Sequence, residues 1–189
     1  MQKLLSEKRA VILDKWFDRI ANSYQPETAG FFKRQKDQFA NPVGHTFATQ
    51  TEALLQCFID DAEPEEVCGH LEQIIKITSI QEMAPSKAVF FLYALKDILR
   101  EEIRNDPEEQ QLIVKLMEFE KRIDQAALFA FDIFTSCREK HYQLRVDEVK
   151  RRVSTVLKRS DMFFDESEVD SDSENGGTEC RELQRGGER

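Results

Sequence analysis

Apolar side chains recur every three or four positions through most of this chain, which is the spacing of amphipathic α-helices. The first segment shows this pattern, because Leu5, Ile12, Trp16 and Ile20 fall on one face of a helix. Short stretches that contain Pro or polar turn residues separate one periodic segment from the next. The pattern predicts six helical segments: 2–22, 27–38, 42–59, 64–78, 85–104 and 106–161.

The start of the third segment carries two local signals. Asn41 is a strong N-cap residue, and Pro42 suits the first helical turn, where its missing N–H is not needed. Gly44 lowers the helix propensity three residues further on, which predicts a close approach of another group to the backbone at that point.

The last segment is unusually long. From Asp106-Pro107, a favourable helix start, the chain runs to Asp161 without a further Pro or Gly. Its inner part, 107–137, is rich in apolar residues and is expected to pack into the domain. The outer part, 138–158, has apolar residues at the spacing of a coiled-coil seam: Tyr142, Val146, Val149, Val153 and Val156. This seam leaves three interpretations open, which are a dimeric coiled coil, docking onto the chain's own domain, and a solvated helix.

The composition favours an all-α helical bundle. Of 189 residues, 40% are hydrophobic, which is enough for a packed core, while 7 Gly and 5 Pro leave little material for the turns of an all-β fold. The net charge of −9 is uneven, because residues 161–189 carry −7 and residues 1–160 only −2. We therefore expect one helical domain, 1–160, a disordered acidic tail, 161–189, and no nucleic-acid partner.

The sequence offers no export or membrane signal. Charges interrupt the first residues, so they do not form a signal peptide, and no apolar run approaches the roughly 18–20 residues that span a bilayer. The four Cys form no CxxC pair, and the three in apolar helical patterns are expected to be small buried hydrophobes. Together these features predict a cytoplasmic protein without membrane insertion.

Motifs that carry chemistry are absent. The sequence has no Gly-rich phosphate loop and no His or Cys pair at metal-ligand spacing, so we expect no enzyme activity, no metal site and no cofactor. His45 and His70 lie on predicted helices and are the candidates for a haem ligand, should the chain bind one. Five aromatic residues could line an apolar cavity, although core packing is their expected use: Phe90, Phe91, Phe129, Phe131 and Phe134.

Three stretches of the chain, residues 16–47, 79–103 and 122–152, carry a family resemblance. Their most specific pieces are KDQFANPVGH at 36–45 and CREKHYQLRVDEVKRR at 137–152. These stretches resemble the N-terminal sensor domain of RsbR-type co-antagonists, the stressosome proteins that regulate the RsbT kinase. The likeness is to the RsbRD N-terminal domain family in particular.

The resemblance implies an all-helical sensor domain, globin-like in related RsbR proteins, that dimerises and usually lacks haem. In such proteins a helix leaves this domain and enters a C-terminal STAS domain, whereas the sequence here continues into the acidic tail. We therefore expect a stand-alone, non-catalytic sensor or interaction domain that forms a homodimer. It is expected to signal through contacts with a separate kinase or STAS protein in a stress- or redox-related pathway. The alternatives are a haem-binding or small-ligand-binding globin-like sensor and an accessory subunit of an enzyme complex.

Overall fold

The computed structural model describes residues 2–35, 37–81, 83–104 and 109–159, and their regular structure is entirely helical. Within these ranges there is no strand, which confirms the all-α prediction. No helix of this described part is long and apolar enough to cross a membrane. The helices are α1 (Gln2–Glu7), α2 (Arg9–Ala21), α3 (Pro26–Arg34), α4 (Pro42–Asp60), α5 (Pro64–Ile80), α6 (Pro85–Arg104) and α7 (Glu109–Arg159).

Proline marks the start of α3, α4 and α5, as its fixed φ and missing donor predict. Asn41 caps α4, because its side-chain oxygen accepts a hydrogen bond from Gly44 N at 2.8 Å. The same helix ends at Asp61, whose φ of 56° and ψ of 45° place it in the left-handed region. A local sequence signal therefore fixes the start of α4, and the left-handed backbone at Asp61 ends the helix.

Two predicted segments differ from the structure. The segment 2–22 is divided at Lys8, which has φ −99° and ψ 9°, so that α1 and α2 are separate helices. Lys8 also turns its amine to α6, where it donates to Glu102 O at 2.9 Å. The helix predicted over 27–38 ends earlier, at Arg34, and Phe39 in the following loop is 94% exposed.

The core of the domain lies between α2, α4, α5 and α6. Trp16 of α2 is fully buried, stacks on Phe91 of α6 with ring centroids 6.2 Å apart, and donates from Nε1 to Phe91 O at 2.7 Å. Burial of such a large ring is expected to be a major source of apolar stabilisation, and the hydrogen bond satisfies its one polar group. Trp16 is therefore a core anchor.

The inner part of α7 joins this core. Phe119 makes an edge contact with Phe58 of α4 at 6.1 Å between centroids, and Arg122 donates to Phe58 O at 3.1 Å. Lys96 of α6 lies beside the same helix and pairs with Asp124 at 2.7 Å. The half of α7 up to and including Thr135 belongs to the first of two compact units.

The second compact unit begins at Ser136, close to the predicted change of pattern after residue 137. Its described part is the remainder of α7, in which every side chain from 136 to 157 is half-buried or exposed. The predicted start signal at Asp106-Pro107 and the predicted tail, 161–189, lie outside the described residues. The domain limits and the globin-like topology stay predictions.

Candidate functional sites

One group of side chains with metal-binding chemistry occurs in the described part of the chain. Cys57 of α4 and Glu66 and His70 of α5 each offer one ligand atom, and these atoms all lie within 4.8 Å of one another. Cys57 is buried, His70 is half-buried and Glu66 is exposed, so the group extends from the core to the surface. It combines a sulfur, an oxygen and a nitrogen donor.

The turn between α4 and α5 explains why these residues meet. Glu66 and His70 are four residues apart and therefore share one face of α5. Cys57 lies in the last turn of α4, where its carbonyl oxygen accepts hydrogen bonds from Asp61 N and, at 3.0 Å, from Ala62 N. Since α5 begins only a few residues later, the chain brings the end of α4 against the start of α5.

The Cys57 thiol is in an environment that disfavours its charged form. Burial, with the Glu66 carboxylate as a further cause, raises the pKa of the Cys57 thiol to about 11. A catalytic cysteine usually has the opposite setting, a cationic neighbour that lowers its pKa. Cys57 is therefore not placed as a nucleophile, although a divalent cation could still replace its proton.

His70 is oriented by a residue of the facing helix. Its Nδ1 lies 2.7 Å from the side-chain oxygen of Gln50 on α4, and because that oxygen can only accept, Nδ1 is the donor. In the neutral ring the other nitrogen, Nε2, then keeps its lone pair. A second nitrogen fixed in this way is typical of histidines that bind metals.

A separate cleft contains His45. The cleft has a volume of about 380 Å³, lies between α2, α3 and α4, and is lined mainly by apolar groups that include Leu13, Phe17, Phe32 and Ala48. His45 is half-buried at its edge, and its Nε2 lies 3.5 Å from Thr49 Oγ1. The two histidines that the sequence singled out thus occupy different places, and the proposed role of each as a haem ligand stays a prediction.

The five aromatic residues considered as a cavity lining are divided between core and surface. Phe91, Phe129 and Phe134 are buried, whereas Phe90 is 43% exposed and Phe131 is 49% exposed. Phe91 stacks on Trp16, and Phe129 lines a cleft beside Cys57. Core packing is therefore the principal use of the buried rings, and the exposed pair faces outward.

The predicted coiled-coil seam lies on the outer part of α7, and all of its members are about half exposed or more. The values are 53% for Tyr142, 47% for Val146, 59% for Val149, 50% for Val153 and 64% for Val156. Polar pairs four residues apart support the helix beside the seam, such as Gln143 with Asp147 and Glu148 with Arg152. The stripe presents apolar surface on the outer part of α7, where most of the other exposed side chains are polar and Leu144 is a further exposed apolar residue.

The three-residue group was missed by sequence reasoning that looked for paired His or Cys. Glu66 and His70 are four residues apart, and this spacing could have indicated two metal-binding side chains on one face of a helix. Cys57 could not be added from the sequence, because its neighbours depend on how α4 packs on α5. Only the folded chain brings the three donors together.

The described fold is an all-α domain with a long final helix, and the sequence carries no catalytic motif. Residues 10–149 match the model of the RsbT co-antagonist protein rsbRD N-terminal domain, and the chain belongs to that family. The match confirms the family resemblance and with it a stressosome-type regulatory sensor domain. No curated protein and no solved structure matches the chain.

Proposed function

We propose that this chain is a dimeric, non-catalytic sensor domain that signals through protein contacts. The observation that carries the proposal is the exposed seam on α7, much of which falls within the part of the chain that matches the family. Apolar residues at heptad spacing on an exposed helix gain most when a second helix covers them. A second copy of the same chain offers a matching apolar stripe, because a twofold axis places the seam of one copy against the seam of the other.

The charges of the side chains beside the seam predict how the stability of this dimer depends on salt. Arg145 and Lys150 occupy flanking positions, so two copies bring positive charges close together along the interface. Like charges at these positions oppose association, and dissolved salt screens them. We therefore expect a dimer that is weaker at low ionic strength and stronger at high ionic strength, unlike a dimer held by ion pairs.

Light scattering on the full chain tests the dimer. At tens of micromolar protein we expect a dimeric mass, with a dimer fraction that increases between about 0.1 and about 1 M salt, where the Debye length falls from about 10 to about 3 Å. Val149→Lys should give a monomer, because it places a charge in the centre of the seam. Thr155→Lys adds the same charge away from the seam and should retain most of the dimer.

Two outcomes would overturn this assignment. A monomeric mass at every salt concentration would remove the dimer. A dimer that survives Val149→Lys as well as Thr155→Lys would move the interface away from Tyr142–Val156. Either result leaves the family membership unaffected, because that rests on the match over residues 10–149.

The outer part of α7 is also the element through which we propose that a signal passes to a partner. A change in the domain that alters the pairing or rotation of two such helices would change the surface presented to a separate kinase or STAS protein. The haem-binding alternative and the accessory-subunit alternative stay predictions, and no contact in the described part of the chain favours either of them.

A further inference from the structure

We propose that Cys57, Glu66 and His70 form a binding site for a single divalent transition-metal ion, with Zn²⁺ as the best-fitting ion. The site goes beyond the proposed function, since neither the dimer nor the signalling role requires a metal. Thiolate, carboxylate and imidazole are the three ligand types that Zn²⁺ takes from proteins. Mg²⁺ and Ca²⁺ prefer sites made entirely of oxygen, so the sulfur and nitrogen donors select against them.

The present separations are close to those of a metal site. Ligand atoms of a tetrahedral zinc ion lie about 3.5 Å apart, given bond lengths of about 2.0 to 2.3 Å. The three ligand atoms here lie within 4.8 Å of one another, so a contraction of about 1 Å completes the geometry. Glu66 can supply much of this movement, because its side chain is exposed and has several rotatable bonds.

The positions of the other two ligands are already restricted. Cys57 is 4% exposed and lies beside the turn that joins α4 to α5. His70 is held by Gln50 at 2.7 Å, which fixes the ring and leaves Nε2 free to coordinate. A rigid pair with one adjustable carboxylate suits a site that forms on binding without refolding of the helices.

Charge balance also fits a divalent ion. When the ion binds, the Cys57 S–H bond breaks, its proton goes to solvent, and the sulfur electron pair forms the bond to the metal. The thiolate and the Glu66 carboxylate then supply two negative charges, and neutral His70 supplies none. The two charges match those of the ion, so the partly buried site carries no net charge.

A cleft lies beside one of the three ligands, Cys57. This cleft has a volume of about 340 Å³ and is lined in part by Asp61, Pro64 and Arg122. Three protein ligands leave one position of a tetrahedron open, and this position can hold water or a small ligand. Because the ligands come from both α4 and α5, bound metal would link these helices.

Cobalt titration of the full chain, purified without a histidine tag, tests the site. Co²⁺ added to the reduced protein should produce thiolate-to-cobalt charge-transfer absorption and strong visible bands of tetrahedral type, saturating at one equivalent. Zn²⁺ should remove both signals by displacement. Cys57→Ser should abolish the charge-transfer absorption, and His70→Ala should prevent saturation at one equivalent.

Matched variants separate this site from other ligands in the chain. Cys137→Ser should leave the cobalt spectrum unchanged, because Cys137 does not belong to the group. Gln50→Ala should weaken binding by about 10–100-fold, the usual effect of removing a partner that orients a ligand, while the charge-transfer absorption persists at saturation. The fluorescence of the single Trp, buried in the core, verifies that each variant is folded.

The proposal is wrong if the reduced chain develops no charge-transfer absorption with excess Co²⁺. It is equally wrong if the absorption survives in Cys57→Ser, since the sulfur would then come from another residue. Neither outcome affects the dimer, whose test uses molecular mass and residues of the α7 seam.

Discussion

At the level of single residues, Asn41 and Gly44 together form the N-terminal cap of α4. Asn41 is 2% exposed, accepts from Gly44 N at 2.8 Å and donates from Nδ2 to Gln35 O at 2.8 Å. A Cβ atom at Gly44 would lie 2.2 Å from that Nδ2 and 2.8 Å from Asn41 Cγ. The helical glycine therefore makes room for the cap, and this is the close approach that the sequence predicted.

Gly44→Ala should consequently destabilise the protein even though alanine is the better helix former. The new methyl group displaces Asn41 from its capping position. Loss of the cap costs about 0.5–2 kcal/mol, and this cost opposes the gain in helix propensity of about 0.5–1 kcal/mol that alanine brings. Gly69→Ala is the control, because a Cβ atom there meets nothing within 4 Å and should stabilise the fold. Urea unfolding of both variants measures the difference, and equal gains in stability would contradict the crowding at Gly44.

At the scale of helices, Glu102 connects α6 to the first part of the chain. Its carboxylate is paired with Lys8 at 3.1 Å and with Lys15 of α2, while the residue itself is 7% exposed. The hydrogen bond from Lys15 is the main cause that lowers the pKa of Glu102, with Lys8 contributing and burial opposing. One buried acid thus holds both α2 and the junction that precedes it.

Glu102→Gln should lower the free energy of unfolding by about 1–3 kcal/mol at neutral pH, as expected for lost hydrogen bonds to charged groups. Since the folded pKa of Glu102 is lowered, its contribution is present above the unfolded value of about 4.3 and is lost as the pH falls through the folded pKa. The difference between wild type and variant should therefore shrink in acid.

Glu101→Gln provides the comparison for this effect. Glu101 is adjacent on α6 and pairs with Arg19 at 2.8 Å, but its side chain is 46% exposed. Exposed pairs contribute about 0–1 kcal/mol, so this variant should change stability little. Denaturant unfolding between neutral and acidic pH measures both, and a Glu102→Gln effect no larger than that of Glu101→Gln would show that the buried carboxylate adds no stability.

At the scale of the whole molecule, buried apolar residues on α7 end before the second unit begins. Phe134 is buried, whereas no side chain in the described stretch 136–157 is. Among the described residues, the buried apolar area of the first unit therefore comes from residues before Ser136.

A chain that ends at Thr135 should consequently keep the stability of the first unit. We expect its urea midpoint, followed by Trp16 fluorescence, to equal that of full-length Val149→Lys, because neither protein should dimerise. Because both proteins are expected to be monomers, dimer formation contributes to neither urea midpoint. A substantially lower midpoint for the short chain would mean that residues after 135 stabilise the fold.

The helices and several of their ends follow from local patterns in the amino-acid sequence. A period of three to four residues is a local property of the chain, as are Pro42 with its Asn41 cap and the spacing of the seam that begins at Tyr142, whereas the exposure of that seam is known only from the structure. The family could also be recognised from the sequence, because the resemblance rests on contiguous stretches. The match over residues 10–149 confirms it. The division between α1 and α2 at Lys8 could not be predicted from the sequence, because the periodic pattern of apolar residues continues across it.

Which helical faces meet is known only from the packed fold. It paired Lys96 with Asp124, divided the five aromatic residues between core and surface, and brought Cys57 to Glu66 and His70. The physical reason is that helical periodicity fixes which residues share a face, whereas contacts between helices depend on rotation and crossing, which the packing of many side chains sets together. The candidate metal site is therefore a product of packing, while the candidate dimer seam is a product of sequence.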